Sequence, residues 1–103
     1  MPLRVTYLKS FKEKSIGLIG AKKIYPVSFT TRWGIHTFGV KFPIDVLILD
    51  KDKKVVKMAQ ELAPNRLFIW LPIYKNVVEL PAGEIEKKRI KIGDQLTLHS
   101  QGD

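Results

Sequence analysis

Ile44-Asp45-Val46-Leu47-Ile48-Leu49-Asp50-Lys51-Asp52-Lys53-Lys54-Val55-Val56-Lys57-Met58-Ala59 is the stretch that decides the fold class. Val46 to Leu49 are four consecutive apolar residues, the pattern of a strand covered on both faces. Asp50-Lys51-Asp52-Lys53 supplies turn chemistry, and 54–59 returns as the second arm of a hairpin. Upstream, Pro43 biases Phe42 to an extended conformation, so 39–43 reads as a connection into this hairpin. Before it, 26–31 and 33–38 are rich in aromatic and β-branched residues without helical spacing and read as strands. Residues 3–8 alternate with a period of two, a first strand with one wet face. Ser10 and Glu13 fit a capping box, and with Ile16, Ile19 and Gly20 they predict a short helix over 11–19.

Downstream, 62–66 is a loop around Pro64-Asn65, and Leu67-Phe68-Ile69-Trp70-Leu71 is a short apolar segment that Pro72 stops or places on an edge. A strand over 76–80 ends at Pro81-Ala82-Gly83. Glu84 and Glu86 before Lys87, Lys88 and Arg89 follow the charge order of a helix dipole, so 84–89 is expected to form one or two helical turns. Gly93-Asp94 then turns the chain into a last strand over 95–99. The expectation is a mainly β chain of about seven or eight short strands with one or two short helices. A barrel-like domain spanning 1–103 buries such strands most simply, because closure removes sheet edges.

The chain has 103 residues, with 45% hydrophobic and 27% charged, near the globular average and far from disordered or collagen-like compositions. Eighteen Lys plus Arg against ten Asp plus Glu give a net charge of +8. Lysine outnumbers arginine 14 to 4 and Asn plus Gln total 5, a balance that resembles a thermophile's surface more than an arginine-rich nucleic-acid site. The absence of cysteine excludes disulfides, thiolate metal sites and Cys nucleophiles. No apolar run approaches the ~18 residues of a membrane span and the first residues lack a signal-peptide order, so the expectation is a cytoplasmic protein without membrane contact.

Three segments place polar groups in apolar sequence: Trp33-Gly34-Ile35-His36-Thr37-Phe38, Phe42-Pro43-Ile44-Asp45 and Glu79-Leu80-Pro81-Ala82-Gly83. Asp45 shares its side of a strand with Leu47 and Leu49, and Glu79 shares its side with Val77 and Pro81. A carboxylate at the margin of a core takes up a proton, pairs with a cation or accepts backbone N–H bonds. The structural reading is that Asp45 ties down the 39–43 loop and Glu79 tethers a turn. The sharper reading gathers His36, Asp45 and Glu79 around one cleft, with His36 as acid or base of a small hydrolase or lyase and Lys41 holding an anionic substrate. Neither a nucleophile elbow nor metal-ligand spacing nor a phosphate loop is present, so no metal or cofactor is expected and the balance leans away from an enzyme. Lysine clusters at 9–23, 51–57 and 87–91, with Phe29, Trp33, Phe68, Trp70 or Tyr74 as stacking surfaces, keep nucleic-acid binding as an alternative.

The run Gly34-Ile35-His36-Thr37-Phe38-Gly39-Val40-Lys41-Phe42-Pro43-Ile44-Asp45-Val46-Leu47-Ile48-Leu49-Asp50, followed by Val78-Glu79-Leu80-Pro81-Ala82-Gly83 and Ile92-Gly93-Asp94, resembles a small prokaryotic family known as domain of unknown function one-nine-two. The resemblance spans about 15–98. It implies a compact, mostly β domain with barrel-like curvature, and no established activity or assigned catalytic residues. Many members carry an N-terminal apolar segment that this sequence does not show. The commoner form has a Met-Lys-Asn-Thr-like stretch where this chain has Gly34-Ile35-His36-Thr37, so a role needing lysine at 35 or an amide at 36 does not carry over. Thr37, Pro43, Ile44, Asp45 and Glu79 match the pattern. The leading expectation is therefore a non-catalytic domain that binds a small ligand or a protein partner through Trp33, His36, Thr37, Lys41, Asp45 and Glu79.

Overall fold

The computed structural model describes residues 1–8 and 25–100. The helix expected over 11–19 lies outside the described residues. The elements are strands β1 (Pro2–Tyr7), β2 (Val27–Thr30), β3 (Gly34–His36), β4 (Ile44–Leu49), β5 (Val55–Leu62), β6 (Leu67–Ile69), β7 (Asn76–Pro81) and β8 (Thr97–Ser100), with one short helix, α1 (Glu84–Lys87), between β7 and β8. The chain is mainly β, as its alternating and β-branched segments predict. Six strands form one sheet in the order β5-β4-β7-β2-β1-β8, and β3 pairs with β6 in a separate two-stranded sheet.

The six-stranded sheet is mixed: β1 runs parallel to β2 and β8, whereas β4, β5, β7 and β2 pair antiparallel. It curves without closing into a barrel. At one end the two margins meet, where Lys54 bridges Gln95, and Val55 N–H donates to the Asp94 carbonyl at 2.9 Å. The Leu96 N–H completes the seam by donating to the Lys53 carbonyl at 2.9 Å.

All six residues of β4 are buried, as an unbroken apolar run in a central strand requires. They serve two different cores. Leu47 and Leu49 join Leu3, Val5, Val78, Leu80, Ile85, Ile90 and Leu96 on one face. Ile44, Val46 and Ile48 join Val27, Phe29, Val40, Val77 and Trp70 on the other. The small sheet covers this second face, with Ile35 and Phe68 packed against the cluster.

The β4–β5 hairpin is not regular. Ile44 pairs with Leu62 and Val46 with Ala59, so β5 carries an extra residue and bulges near Glu61, whose φ is +52°. The Asp50 carboxylate closes the hairpin turn, with Oδ1 accepting from Asp52 and Lys54 N–H at 2.8 and 2.9 Å.

Leu47 has no exposure and sits at the centre of the hairpin core. Leu47→Ala is expected to destabilise the fold by about 2–5 kcal/mol, the cost of lost burial plus a residual cavity. Urea denaturation with an unchanged slope measures it.

Candidate functional site

Asp45 is fully buried, and its carboxylate is consumed by three backbone donors. Oδ1 accepts from the Glu61 N–H at 2.8 Å, the donor that the β5 bulge removes from the ladder. Oδ2 accepts from Gly83 N–H at 3.0 Å and Ile85 N–H at 2.9 Å, at the start of α1. Gly83 occupies the N-cap position with φ +94° and has no side chain to cap the helix, so Asp45 supplies the cap from across the sheet. It therefore fastens the β5 bulge and α1, not the 39–43 connection expected from the sequence.

Thr37 is buried at the end of β3 and acts as a latch. Its Oγ1 donates to the Ala63 carbonyl at 2.8 Å and accepts from the Arg66 N–H at 2.8 Å. Its own N–H donates to the Arg66 carbonyl at 2.9 Å, so the 63–66 loop is fixed to β3. His36 is exposed, with Nδ1 accepting from the Phe38 N–H at 3.2 Å and its ring 5.3 Å from the Phe38 ring. Lys41 is exposed on the connection into β4.

Glu79 stands on the opposite face of the sheet from Asp45. It is paired with Val46 of β4 and Val27 of β2, both completely buried in the second core. Only 9% of Glu79 is exposed, and its side chain has no hydrogen-bond or ion-pair partner among the described residues. Burial raises its pKa from 4.5 to about 7. The turn-tethering role expected for Glu79 is absent among the described residues. His36, Asp45 and Glu79 do not share a cleft: one lies on the small sheet and the other two leave opposite faces of the large one. Among the described residues, no group of three His, Asp or Glu is placed to hold a metal ion.

The largest chemical anomaly lies at Trp33 and beyond it in the 67–74 segment. Along this segment Phe68, Trp70 and Tyr74 pack on the second core. Leu67, Ile69, Leu71 and Ile73 point the other way and are 70%, 66%, 65% and 70% exposed. Trp33 joins them at 68% exposure, in a three-residue turn that the Gly34 N–H closes on the Arg32 carbonyl at 3.0 Å. Its φ of +79° is a conformation that bulky residues rarely adopt. That φ turns the indole out of the core row to which its register with Trp70 would assign it.

Side chains hydrogen-bond the backbone beneath this surface at three points. Trp70 Nε1 donates to the Tyr74 carbonyl at 2.8 Å, and Arg32 donates to the Pro72 carbonyl at 2.6 Å. Lys57 donates to the Ile69 carbonyl at 2.7 Å, with its ammonium 5.1 Å from the centre of the Phe68 ring. Sequence reasoning named Trp33 but missed the row Leu67, Ile69, Leu71 and Ile73. Its signal was present, because an apolar run without polar alternation has two apolar faces. Of the aromatics considered for base stacking, Phe29 and Trp70 are buried, Phe68 and Tyr74 half-buried, and Trp33 exposed.

Among the described residues, two open depressions elsewhere have volumes of about 490 and 520 Å³. One is lined by Gln60, Ile85, Glu86, Arg89, Ile90 and Lys91, the other by Pro2, Leu3, Arg4, His99 and Ser100. Neither includes a residue of the expected binding set Trp33, His36, Thr37, Lys41, Asp45 and Glu79, although Arg89 and Lys91 of the first belong to the 87–91 basic cluster.

With β4, the Asp45 bonds and the Pro81-Ala82-Gly83 turn in place, the comparison with known proteins becomes specific. The family DUF192, described as "Uncharacterized ACR", matches residues 2–98. The chain belongs to the DUF192 family. A curated relative, the UPF0127 protein PF1050 of Pyrococcus furiosus, is 28% identical over 100 residues, covering 91% of this chain and 85% of that protein. A second, the UPF0127 protein PYRAB11210 of Pyrococcus abyssi, is 29% identical over 99 residues, covering 90% and 84%. Both come from thermophilic archaea, in keeping with the lysine-rich, amide-poor composition. A crystal structure of a protein of unknown function from Novosphingobium aromaticivorans superposes with a TM-score of 0.74 at 16% identity. It covers 91% of this chain and 71% of that one, a likeness of fold alone. Membership in DUF192 brings no specific activity to the chain.

Two outcomes follow from the carboxylates. Asp45→Ala strips three backbone donors of their acceptor and is expected to cost at least about 3 kcal/mol. Asn, with one acceptor oxygen, recovers only part of this. Hydrogen exchange at the Glu61 and Ile85 amides, accelerated more than at Leu47, separates the loss of these bonds from general loosening. For Glu79 the native pKa lies above the unfolded value, so the folded chain holds a proton that the unfolded chain gives up. Its contribution is greatest below pH 4.5 and is lost as pH rises through about 7. The full loss is on the order of 3 kcal/mol. Urea midpoints of wild type and Glu79→Gln across this window are expected to diverge with rising pH, with the Gln variant the more stable at the upper end.

Proposed function

We propose that this DUF192 domain is a non-catalytic binding module that docks a protein partner on the outer face of the β3–β6 sheet. The observation that carries the reading is the exposed apolar group of Leu67 and Ile69 on β6, Leu71 and Ile73 in the turn that follows it, and Trp33, each about two-thirds exposed or more. Scattered exposed apolar residues are ordinary, whereas a contiguous group on a rigid support marks an interaction surface. An open face suits a protein better than a small ligand, which needs a concave site to bury most of its surface. Trp33 supplies the aromatic anchor around which binding energy concentrates in protein interfaces. Of the residues singled out from the sequence, Trp33 and His36 belong to this surface and Thr37 supports it from within, while Asp45 serves the opposite face of the large sheet. The proposal keeps the cytoplasmic setting expected from the sequence.

The test is a photo-crosslinking side chain at Ile73 in the full chain, expressed in cells of the source organism, with Lys91 as the control position. The expected result is a discrete protein adduct from position 73 and none from 91. Combining Leu67→Ser and Leu71→Ser with the probe is expected to reduce the adduct by about tenfold or more, at unchanged secondary structure. Equal labelling from both positions, no discrete adduct, or an adduct indifferent to the serine variants would overturn the reading.

A further inference from the structure

Among the described residues, the small sheet has a free edge as well as an apolar face. In an antiparallel pair, residues exchange hydrogen bonds at alternate positions. Trp70 N–H donates to the Trp33 carbonyl and Thr37 N–H to the Arg66 carbonyl, both at 2.9 Å, which makes Ile35 and Phe68 the bonded pair between them. The His36 N–H and carbonyl and the Gly34 carbonyl therefore point away from β6. β3 pairs with no other strand among the described residues, so its outer edge presents these groups unpaired.

The apolar face reaches this edge because of Gly34. Ile69 lies across from it, and a Cβ at position 34 would stand 2.9 Å from Ile69 Cγ2 and 2.8 Å from the Phe68 carbonyl oxygen. With only hydrogen there, the isoleucine methyl leans over β3 and brings apolar surface next to the free backbone groups. A strand laid beside β3 would meet both: main-chain partners at His36 and Gly34, and apolar surface where Ile69 leans over Gly34.

The segments that build this edge carry charge of one sign. Residues 31–44 and 63–78, which build the small sheet and its flanks, contain no Asp or Glu but carry Arg32, Lys41, Arg66 and Lys75. A second copy of the chain would bring like charges together there. An anionic bilayer would satisfy the charge but would draw the unpaired His36 and Gly34 groups towards a medium without hydrogen-bonding partners. A peptide with carboxylates satisfies charge, backbone and apolar row at once.

We propose that β3 receives an extended, acidic segment of the protein partner, apolar at alternate positions, as a third strand of the small sheet. This rests on the reading that the outer β3–β6 face docks a protein, and specifies how. The probes are a capped peptide of about eight residues alternating glutamate and valine, its lysine–valine counterpart, and vesicles of phosphatidylglycerol in phosphatidylcholine. Each is titrated into the nitrogen-15-labelled full chain at low salt. The glutamate–valine peptide is expected to shift the Gly34, Ile35 and His36 amides, to slow exchange of the His36 N–H, and to bind more weakly as salt rises. The lysine peptide and the vesicles are expected to leave these amides unchanged.

His36→Pro removes the outward donor and is expected to weaken peptide binding about tenfold or more, while the Ile35 and Phe68 amides keep their protection. Should proline unseat β3, Arg66→Glu with Lys75→Glu tests the same point through charge, transferring the preference to the lysine peptide. Shifts confined to other strands, equal binding of both peptides, or vesicle binding in place of peptide binding overturns the inference. If the Ile73 crosslink persists undiminished in His36→Pro, strand addition fails and the docking face stands. If no face-dependent adduct forms at all, the docking reading fails with it.

Discussion

The carboxylate of Asp45 is the constraint on which the rest of the arrangement depends. A bulge in β5 and a helix that begins at glycine each leave backbone N–H groups without partners, and in a buried setting each such group is costly. One side chain answers both, taking the Glu61 donor on one oxygen and the Gly83 and Ile85 donors on the other. Three consequences follow. β5 can bend where it bulges, the chain can turn sharply at Gly83 with φ +94°, and Ile85 is delivered into the core beside Leu47 and Leu80. α1 is too short to be stable on its own. Its place is set by Asp45 from outside and by Ile85 and Ile90 from beneath.

The six-stranded sheet then works as a wall with a core on each side, and this explains the different fates of its two buried carboxylates. Along β4 and β7 alternate side chains go to opposite faces, so Asp45 faces the side on which α1 begins and Glu79 the side that the small sheet covers. Asp45 meets backbone donors and is fully satisfied. Glu79 meets Val27 and Val46, has no partner among the described residues, and responds as a desolvated acid must, by holding its proton to higher pH. A shared catalytic cleft would need these two groups on one face, and the parity of the strands forbids it.

The strands were legible in the sequence because period-two alternation, β-branched runs and the Asp50–Lys53 turn are local signals. The unbroken run 46–49 correctly announced a strand buried on both sides. That Asp45 would be a structural acceptor was also foreseeable from its apolar neighbours, but its partners were not. They lie 16 to 40 residues away and depend on a bulge and a glycine turn that only the sheet register brings together. Thr37 illustrates the same limit: nothing local distinguishes a threonine at a binding surface from one that latches the 63–66 loop. The position of Trp33 was legible as residue type, while its outward orientation arises from one positive φ that sequence does not encode simply.

The deepest contrast is between β4 and the 67–74 segment, which carry the same signature of an apolar run with no polar alternation. In β4 both rows of side chains are absorbed, because β5 and β7 flank it and a core lies on each face. In the 67–74 segment only the inner row is absorbed. Phe68, Trp70 and Tyr74 close the second core, and the outer row from Leu67 to Ile73 stays in water although the backbone beneath it is fixed by Lys57, Arg32 and the Trp70 indole. Stability of the monomer does not call for these residues, since threonine at 67 and 69 suits a strand, and polar residues at 71 and 73 suit a turn, with less apolar surface in water. On the docking reading proposed above, a run built to be covered on two sides but covered on one among the described residues takes its second layer from a protein partner. The short free edge of β3, with a glycine that lets Ile69 reach it, is where such a layer begins.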